Sequence, residues 1–317
     1  MSKKKESKTD QLLHKAASSG DATLLKKVLD SGKVHVDCCD EEGTTALMLA
    51  AANNHIECVK LLIEDGAEVC AQRQSGTHAL FFAAQGGHLD LLRYLIETGS
   101  NVNLGSKDGG TPLFVAAQCG HLDIVEELVK NGAEIDSEMS DGATPLFIAS
   151  QNGYTTVVRF LLSKGAGVNR KRADGATPLW IASQMGHATV VKELLRNGGD
   201  VNCAREDGAT PLFKAAHKGH TDVIEELLQR RPNLGMLSNG ESPLHAASLF
   251  GHLIAVKLLI QAGSNPTLKN KSGETPIDLA QQMGYDQIVD YLRTFTGPKQ
   301  TPLHNGFGLK SQKCTDV

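Results

Sequence analysis

Aromatic residues are scarce in this sequence of 317 residues, since Phe, Trp and Tyr together make up only 4% of it. The chain has one tryptophan, Trp180, but 32 glycines. A globular domain with a single large core usually fills that core with bulky aromatic side chains. The composition therefore favours many small cores of similar size over one large core.

Long apolar runs and an excess of one charge are also missing. No stretch approaches the roughly 18 apolar residues of a membrane-spanning helix, and the start MSKKKESKTDQLL lacks the apolar part of a secretory signal. The 32 Lys and Arg are balanced by 36 Asp and Glu, which gives a net charge of -4. We therefore expect a soluble cytoplasmic protein, with the nucleus as the alternative location, that binds neither membranes nor nucleic acids.

Signatures of disulfide, metal and enzyme chemistry are absent as well. The seven cysteines are odd in number and form no CxxC pair, so we expect reduced thiols. The chain has no GxSxG, P-loop or HExxH motif. Carboxylates such as Glu126 and Glu127 are adjacent on a helical pattern, so they point apart and are expected on a solvated face. We expect no catalytic residue, no enzyme activity and no cofactor.

Glycines at a fixed interval organise the chain. Six of them follow one another every 33 residues, namely Gly43, Gly76, Gly109, Gly142, Gly175 and Gly208. The interval shortens by one residue before Gly240 and returns to 33 at Gly273. Together with a degenerate first copy around residues 13–20, this period predicts nine stacked units.

Each unit predicts two short helices. In DGGTPLFVAAQCGH, Thr111 is placed to cap a helix N-terminus and Pro112 to occupy its first position. The second helix, DIVEELVK, presents an apolar stripe, and Gly132 supplies the left-handed residue that follows it. His78 replaces the capping threonine of the third unit, so we expect that unit's first helix to begin loosely.

The stretch TPLFVAAQCGHLDIVEELVKNGAEID at 111–136 resembles the ankyrin repeat, and the resemblance covers about residues 10–295. It departs from the family mainly at Phe114, where histidine is commonest. The resemblance implies an all-α ankyrin-repeat solenoid of about nine helix-turn-helix units joined by hairpin-like loops, with first helices and loop tips on the concave side. We expect a flexible basic segment at 1–9 and a flexible tail at 296–317.

Histidines recur at the turn between the helices and raise the question of a metal site. They are His55, His88, His121, His187, His220 and His252. Ligands one unit apart would lie roughly 10 Å from one another, whereas zinc ligands lie near 2 Å from a shared ion. We therefore expect a structural role at the turn and no metal.

A stripe of aromatic residues occupies one position in five successive units, and a polar residue follows each of them by four. The aromatic residues are Phe81, Phe114, Phe147, Trp180 and Phe213, and the polar residues are Gln85, Gln118, Gln151, Gln184 and His217. Two alternatives stay open. The rings either only fill the seam between first helices, or they show their edges in a peptide-binding groove beside the glutamines.

In the second alternative Trp180, with Gln184 and Met185 beside it, is a partly packed anchor for a partner. The loop-tip cluster of Arg170, Lys171 and Arg172 extends this partner-binding surface and would suit an acidic segment, the alternative being a solvated loop tip.

These patterns favour a monomeric, non-catalytic scaffold or adaptor that binds an unidentified protein or peptide along the concave face. The alternative is a regulatory or substrate-delivery subunit of an enzyme complex. The sequence does not identify the partner, because ankyrin units share a fold and not a ligand chemistry.

Two short motifs suggest further sites. LLRNGGDVN at 194–202 places an aspartate two residues and a leucine eight residues before Asn202, which resembles the asparagine-hydroxylation motif of many ankyrin proteins. The alternative is a loop asparagine that bonds its own backbone. The final KCTDV places Thr315 and Val317 in the carboxyl-terminal pattern that PDZ domains bind by strand addition.

Overall fold

The computed structural model describes residues 7–296, in which eighteen α-helices form nine consecutive pairs. The first helices of the pairs are α1 Lys8–Ser19, α3 Ala46–Ala52, α5 Ala79–Gly86, α7 Pro112–Cys119, α9 Pro145–Asn152, α11 Pro178–Met185, α13 Pro211–Lys218, α15 Pro243–Leu249 and α17 Pro276–Gln282. The second helices are α2 Ala22–Asp30, α4 Ile56–Glu64, α6 Leu89–Glu97, α8 Leu122–Lys130, α10 Thr155–Ser163, α12 Ala188–Arg196, α14 Thr221–Leu228, α16 Leu253–Gln261 and α18 Asp286–Thr296.

The predicted all-α architecture is confirmed, because this part of the chain contains no strand beyond the isolated bridge between Cys39 and Thr45. Helix α1 begins at Lys8, inside the segment that the sequence predicts as flexible, and Ser7 caps it. Among residues 7–296, no helix is both long and apolar enough to cross a lipid bilayer.

Capping residues define where most first helices begin. Thr111 Oγ1 accepts a hydrogen bond from the Phe114 N–H at 3.2 Å, and Pro112 occupies the first turn. A side-chain oxygen at the helix start satisfies one of the free N–H groups there. Helix α5 differs, since His78 makes no capping hydrogen bond with its side chain, as expected for the third unit.

Small residues let neighbouring units pack closely. Leu113, Ala116 and Ala117 of α7 are buried, and their counterparts from α1 to α15 are buried as well, whereas in α17 Gln281 is exposed. The resulting apolar layers join into one cluster that runs from Leu13 to Leu292. The expected small cores are thus layers of a single continuous core, since each helix pair buries its apolar side chains against the next pair.

Ion pairs connect the second helices on the opposite side. Glu127 accepts from Arg93 of the preceding unit at 2.9 Å, and the same kind of pair joins Arg159 to Glu193 at 3.1 Å. The expectation of a solvated Glu127 is wrong, because the neighbouring helix covers this side chain. Hydrogen bonds from Arg93 and then Lys130 lower the pKa of Glu127, so its carboxylate stays ionised within the pair.

The hairpin-like loops that join one unit to the next end in tight turns, the loop tips. Each tip is closed by a hydrogen bond from the N–H of its glycine to the carbonyl of its first residue, and the tips are residues 40–43, 73–76, 106–109, 139–142, 172–175, 205–208, 237–240 and 270–273. Successive tips also bond to one another through the backbone, for example from the Lys107 N–H to the Ser75 carbonyl at 2.9 Å. The tips therefore form a continuous edge beside the first helices.

This edge is interrupted at the shortened unit. The last backbone hydrogen bond between tips runs from the Glu206 N–H to the Asp174 carbonyl. Within residues 7–296 no backbone hydrogen bond joins tip 205–208 to tip 237–240. Arg231 stands where other units have glycine and adopts the left-handed conformation with φ 51°. Such a backbone conformation is unfavourable for a residue with a side chain, so Arg231 in place of glycine leaves local strain at the end of α14.

His78 makes the start of α5 sensitive to acid. Its side chain is fully buried, and neither ring nitrogen makes a hydrogen bond of normal geometry, since the contact with the Gly76 backbone is poorly aligned. Burial lowers the pKa of His78 from 6.5 to about 4, because the charged imidazolium loses its solvation. As the pH falls from 6.5 to about 4, the unfolded chain binds a proton at His78 that the folded chain does not, so the fold loses stability in this window.

We expect His78→Thr to raise the free energy of unfolding by about 1 kcal/mol at neutral pH, because threonine restores the cap. It should also remove about 2–3 kcal/mol of acid destabilisation below pH 6.5. Urea denaturation at neutral pH and at about pH 5 measures both effects. The reverse change in the next unit, Thr111→His, should introduce the same acid sensitivity. An unaltered pH dependence in His78→Thr would contradict this account.

Candidate functional site

The aromatic stripe lies between the first helices and the loop tips. Phe114, Phe147, Trp180 and Phe213 are each at most 7% exposed, whereas Phe81 is half-buried. Four of the five rings therefore match the packing alternative, and only Phe81 presents an open surface. The aromatic position of these first helices is buried because the next loop tip covers it.

Trp180 is part of the core. Its indole N–H donates to the backbone carbonyl of Ala209 at 2.8 Å, and the ring is 1% exposed. The Arg205 guanidinium lies 4.9 Å from the ring centre and the Lys214 ammonium 5.6 Å. The prediction that Trp180 itself anchors a partner is corrected by this burial, since a covered ring has no free surface to offer.

The same covering arrangement recurs in neighbouring units. The Arg172 guanidinium lies 5.1 Å from the centre of the Phe147 ring, and Leu237 packs against Phe213. Each is the first residue of a loop tip, and each covers the aromatic ring of the preceding unit. A guanidinium over an aromatic face gains cation–π attraction in addition to packing.

These covering cations are paired with carboxylates of the loop tips. Arg172 bonds Asp174 at 2.6 Å, and Arg205 bonds Asp207 at 2.6 Å. The hydrogen bond from Arg172 lowers the pKa of Asp174, as that from Arg205 lowers the pKa of Asp207. The outer surface over these rings is therefore a row of internally neutralised charges.

The predicted basic cluster is partly engaged in the same way. Arg170 lies 3.7 Å from Asp136 and 3.4 Å from Glu138, and Arg172 is paired with Asp174. Lys171 is exposed. Binding of an acidic segment here stays a prediction, and Lys171 is its most accessible cation.

The glutamines are more accessible than the rings. Gln85 and Gln118 are exposed, Gln151 and Gln184 are half-buried, and Met185 is 48% exposed. Within residues 7–296, none of these four side-chain amides has a hydrogen-bond partner. His217 continues the row, but its ring centre lies 4.2 Å from that of Phe250, with the two rings tilted by 56°. Burial, followed by the charges of Lys214 and Lys218, lowers the pKa of His217.

The backbone carbonyls at these positions hold the units together. His121 Nε2 bonds the Gln85 carbonyl at 3.1 Å, and His187 and His220 bond those of Gln151 and Gln184, each at 3.0 Å. The turn histidines have the structural role that their spacing predicts. No three His, Cys, Asp or Glu side chains of the described segment are arranged to hold a metal.

One opening interrupts the covered stripe, and we call it the Phe81 pocket. It has a volume of about 440 Å³ and is lined by Phe81, Phe114, Val115, Met139 and Gln118 together with the third loop tip and its neighbours. Ser106 starts that tip, at the place where later tips have Arg172 and Arg205. The sequence shows that Ser106 stands where later tips have arginine, but only the fold shows that the first residue of a tip covers an aromatic ring.

Asn202 differs from its counterparts in other units. Asn103 and Asn169 donate through Nδ2 to glycine carbonyls of the next unit, each at 3.0 Å. Asn202 is exposed, and its Oδ1 accepts from the Asn233 N–H at 2.8 Å, but its Nδ2 has no such partner in the described segment. The other predicted modification or binding motif, Thr315 and Val317, lies outside the described residues.

Comparisons with known proteins agree with this geometry. Residues 13–106, 80–172, 135–205, 165–236 and 231–301 match the family described as ankyrin repeats (3 copies). Ankyrin repeat domain-containing protein 29 from Danio rerio is 48% identical over 74 residues, which are 23% of this chain and 25% of that protein. Its Homo sapiens counterpart is 50% identical over 73 residues, or 23% of this chain and 24% of that protein. The matched stretch thus spans only a quarter of these curated relatives.

A solved structure shows the same architecture. The crystal structure of the human ASB11 ankyrin repeat domain has a TM-score of 0.62 and 29% sequence identity to this chain. The match covers 69% of this chain and 96% of that domain. The pairing of helices described above is therefore shared with a known ankyrin repeat structure.

The packing of Trp180 can be measured. Trp180→Ala should lower the free energy of unfolding by about 3–5 kcal/mol, because a large buried ring is lost. Trp180→Phe, which reproduces the residue of neighbouring units, should cost about 1–2 kcal/mol, since the Ala209 carbonyl loses its donor. Urea denaturation followed by circular dichroism gives both values.

The control is Met185→Ala on the same helix, where an exposed side chain should change stability by about 0.5 kcal/mol or less. Equal effects of Trp180→Ala and Met185→Ala would show that the ring does not support the core.

Proposed function

The chain belongs to the ankyrin repeat family, and from that premise we propose that it is a non-catalytic scaffold or adaptor. Ankyrin repeats form protein interaction domains, so its partner is a protein. We propose that an extended segment of this partner binds along the concave side, between the first helices and the loop tips.

The row of glutamines is the observation that carries this proposal. A side-chain amide offers two donors and one acceptor, which match the groups of a peptide backbone. Gln85, Gln118, Gln151 and Gln184 are accessible and have no hydrogen-bond partner within residues 7–296. Neighbouring helices lie roughly 8–10 Å apart and an extended chain rises about 3.3 Å per residue. Successive glutamines would therefore contact residues of the segment that are about three positions apart.

The buried stripe supports this surface from below. Phe147 and Trp180 hold the first helices against the loop tips, and Arg172 and Arg205 lie over their faces. A surface fixed in this way loses little conformational entropy when a partner binds. The Phe147 and Trp180 rings thus contribute to binding through rigidity, without touching the partner.

The partner-binding role can be tested with Gln151→Arg and Gln184→Arg. Each places a long cation in the row of amides, and we expect at least about a tenfold loss of partner binding, because a central contact is blocked. The melting temperature should stay unchanged, since neither amide holds the fold. Proximity labelling in cells followed by binding measurements on the labelled partner provides the readout.

The matched control is Gln287→Arg, the same change at an exposed position of the second helix α18. Partners lost with the two concave variants and kept with Gln287→Arg would support the proposal. An identical set of partners for all three variants would refute it. If the lost partners are all subunits of one enzyme complex, the regulatory or substrate-delivery role is the better description.

We also propose Asn202 as a hydroxylation site. A separate oxygenase would insert one oxygen atom from O2 into a C–H bond of the asparagine, and its reduced co-substrate would take the second oxygen atom. The support is that the amide nitrogen of Asn202 is not bonded to the next unit, unlike those of Asn103 and Asn169. The Asn202 side chain is therefore released with fewer broken bonds.

Mass spectrometry of the peptide that contains Asn202, from cells with ample oxygen, should show the mass of one added oxygen atom. Asn169 in the same sample is the internal control and should stay unmodified. An unmodified Asn202 peptide at full sequence coverage would rule the site out.

A further inference from the structure

We propose that the Phe81 pocket receives one large apolar side chain of the partner segment, and that an acidic residue beside it pairs with Lys107. This inference rests on the proposed function, because it assigns a specific contact to a partner on the concave side. It follows from three departures of the third and fourth units from the pattern of their neighbours.

The first departure is the uncovered ring. Arg172 covers Phe147 and Arg205 covers Trp180 at 5.1 and 4.9 Å. Ser106 holds the same tip position above Phe81, but its side chain is too short to reach across a ring. Phe81 is consequently half-buried and forms part of the pocket wall. A partly exposed ring gains free energy when an apolar group covers it.

The second departure is Gly110, which stands where the following units have Ala143, Ala176 and Ala209. Gly110 is not among the left-handed glycines, so the backbone does not require glycine there. A Cβ at this position would lie 2.9 Å from Ser106 Oγ and 3.2 Å from Met139 Sδ. The absent methyl group therefore keeps the pocket open between the third and fourth loop tips.

The third departure is the charge at the rim. Arg73, Arg172 and Arg205 are each paired with a carboxylate of a loop tip. Lys107 is exposed and forms no ion pair within residues 7–296, and the neighbouring Asp108 carboxylate accepts from Ser106 Oγ. An acidic residue of the partner would form with Lys107 the ion pair that the other tip cations already form within this chain.

The size and lining of the pocket fit this occupant. A volume of about 440 Å³ is within the range of sites that enclose small ligands, and it accommodates a leucine, methionine or phenylalanine side chain with its flanking backbone. Phe81, Phe114, Val115 and Met139 provide apolar contacts, and Gln118 offers an amide to the peptide backbone.

The probe for this inference is a library of random linear peptides displayed on phage and selected against the full chain. We expect the selected peptides to share one large apolar residue next to an acidic residue. A synthetic peptide of the shared sequence then serves for affinity measurements by fluorescence anisotropy.

The variants give distinct outcomes with this peptide. Ser106→Arg and Gly110→Ala, which fill the pocket in different ways, should each weaken binding by about tenfold or more. Ser140→Arg, the same change on an exposed tip residue outside the pocket, should have no effect. Lys107→Ala should weaken binding at low salt and much less at high salt, because screening removes the charge contribution.

Peptides that bind wild type and both pocket variants with equal affinity would overturn the inference. If such peptides still lose affinity with Gln184→Arg, the concave binding function stands and only the Phe81 pocket is excluded. If Gln184→Arg has no effect either, the proposed function fails as well. Thermal melts of Ser106→Arg and Gly110→Ala confirm that each loss concerns binding by a folded chain.

Discussion

In most units a hydrogen bond from the turn histidine to the last turn of the preceding first helix determines how the units stack. The carbonyls at a helix end have no partner within the helix, and His121, His187 and His220 supply one from the next unit. Where Tyr154 replaces the histidine, Asn152 donates to the Gln118 carbonyl at 2.8 Å instead. Because this bond uses the glutamine's backbone, it also leaves its side chain free at a fixed spacing.

The contacts on either side of this bond set the shape of the concave surface. Backbone bonds between loop tips fix the outer edge, and ion pairs such as Arg93 with Glu127 fix the second helices. At the shortened unit the tip bond is missing and Asn202 lacks the Nδ2 bond that Asn103 and Asn169 make. Asn202 Oδ1 still accepts from the Asn233 N–H, and His252 still bonds the His217 carbonyl at 3.1 Å. In a solenoid each interface contributes separately, so this interface is held by fewer polar contacts than the interfaces between the preceding units.

The period and the capping residues were sufficient to predict the helices, their pairing and the nine units, because these features depend on local sequence. The exposure of Trp180 was not predictable in the same way. Its helix position borders both the first helices and the next loop tip, and only the tertiary arrangement shows that Arg205 and the Ala209 carbonyl close over the ring. The buried Glu127 was missed for the same reason, since its partner Arg93 lies on another unit.

The two halves of the surface between the first helices and the loop tips therefore differ in how far the fold covers their side chains. Around units five to seven, Arg172 and Arg205 are satisfied by rings and carboxylates of this chain, so a partner gains little from charges that are already paired. Around the third loop tip, Lys107 and Phe81 have surface that the fold does not cover. Because the stacking bonds are the same in both regions, substitutions at tip positions change what the surface can bind while leaving the solenoid intact. Specificity in this chain is therefore expected to depend on where the tips depart from their own repeat pattern, and Ser106 and Gly110 are such departures.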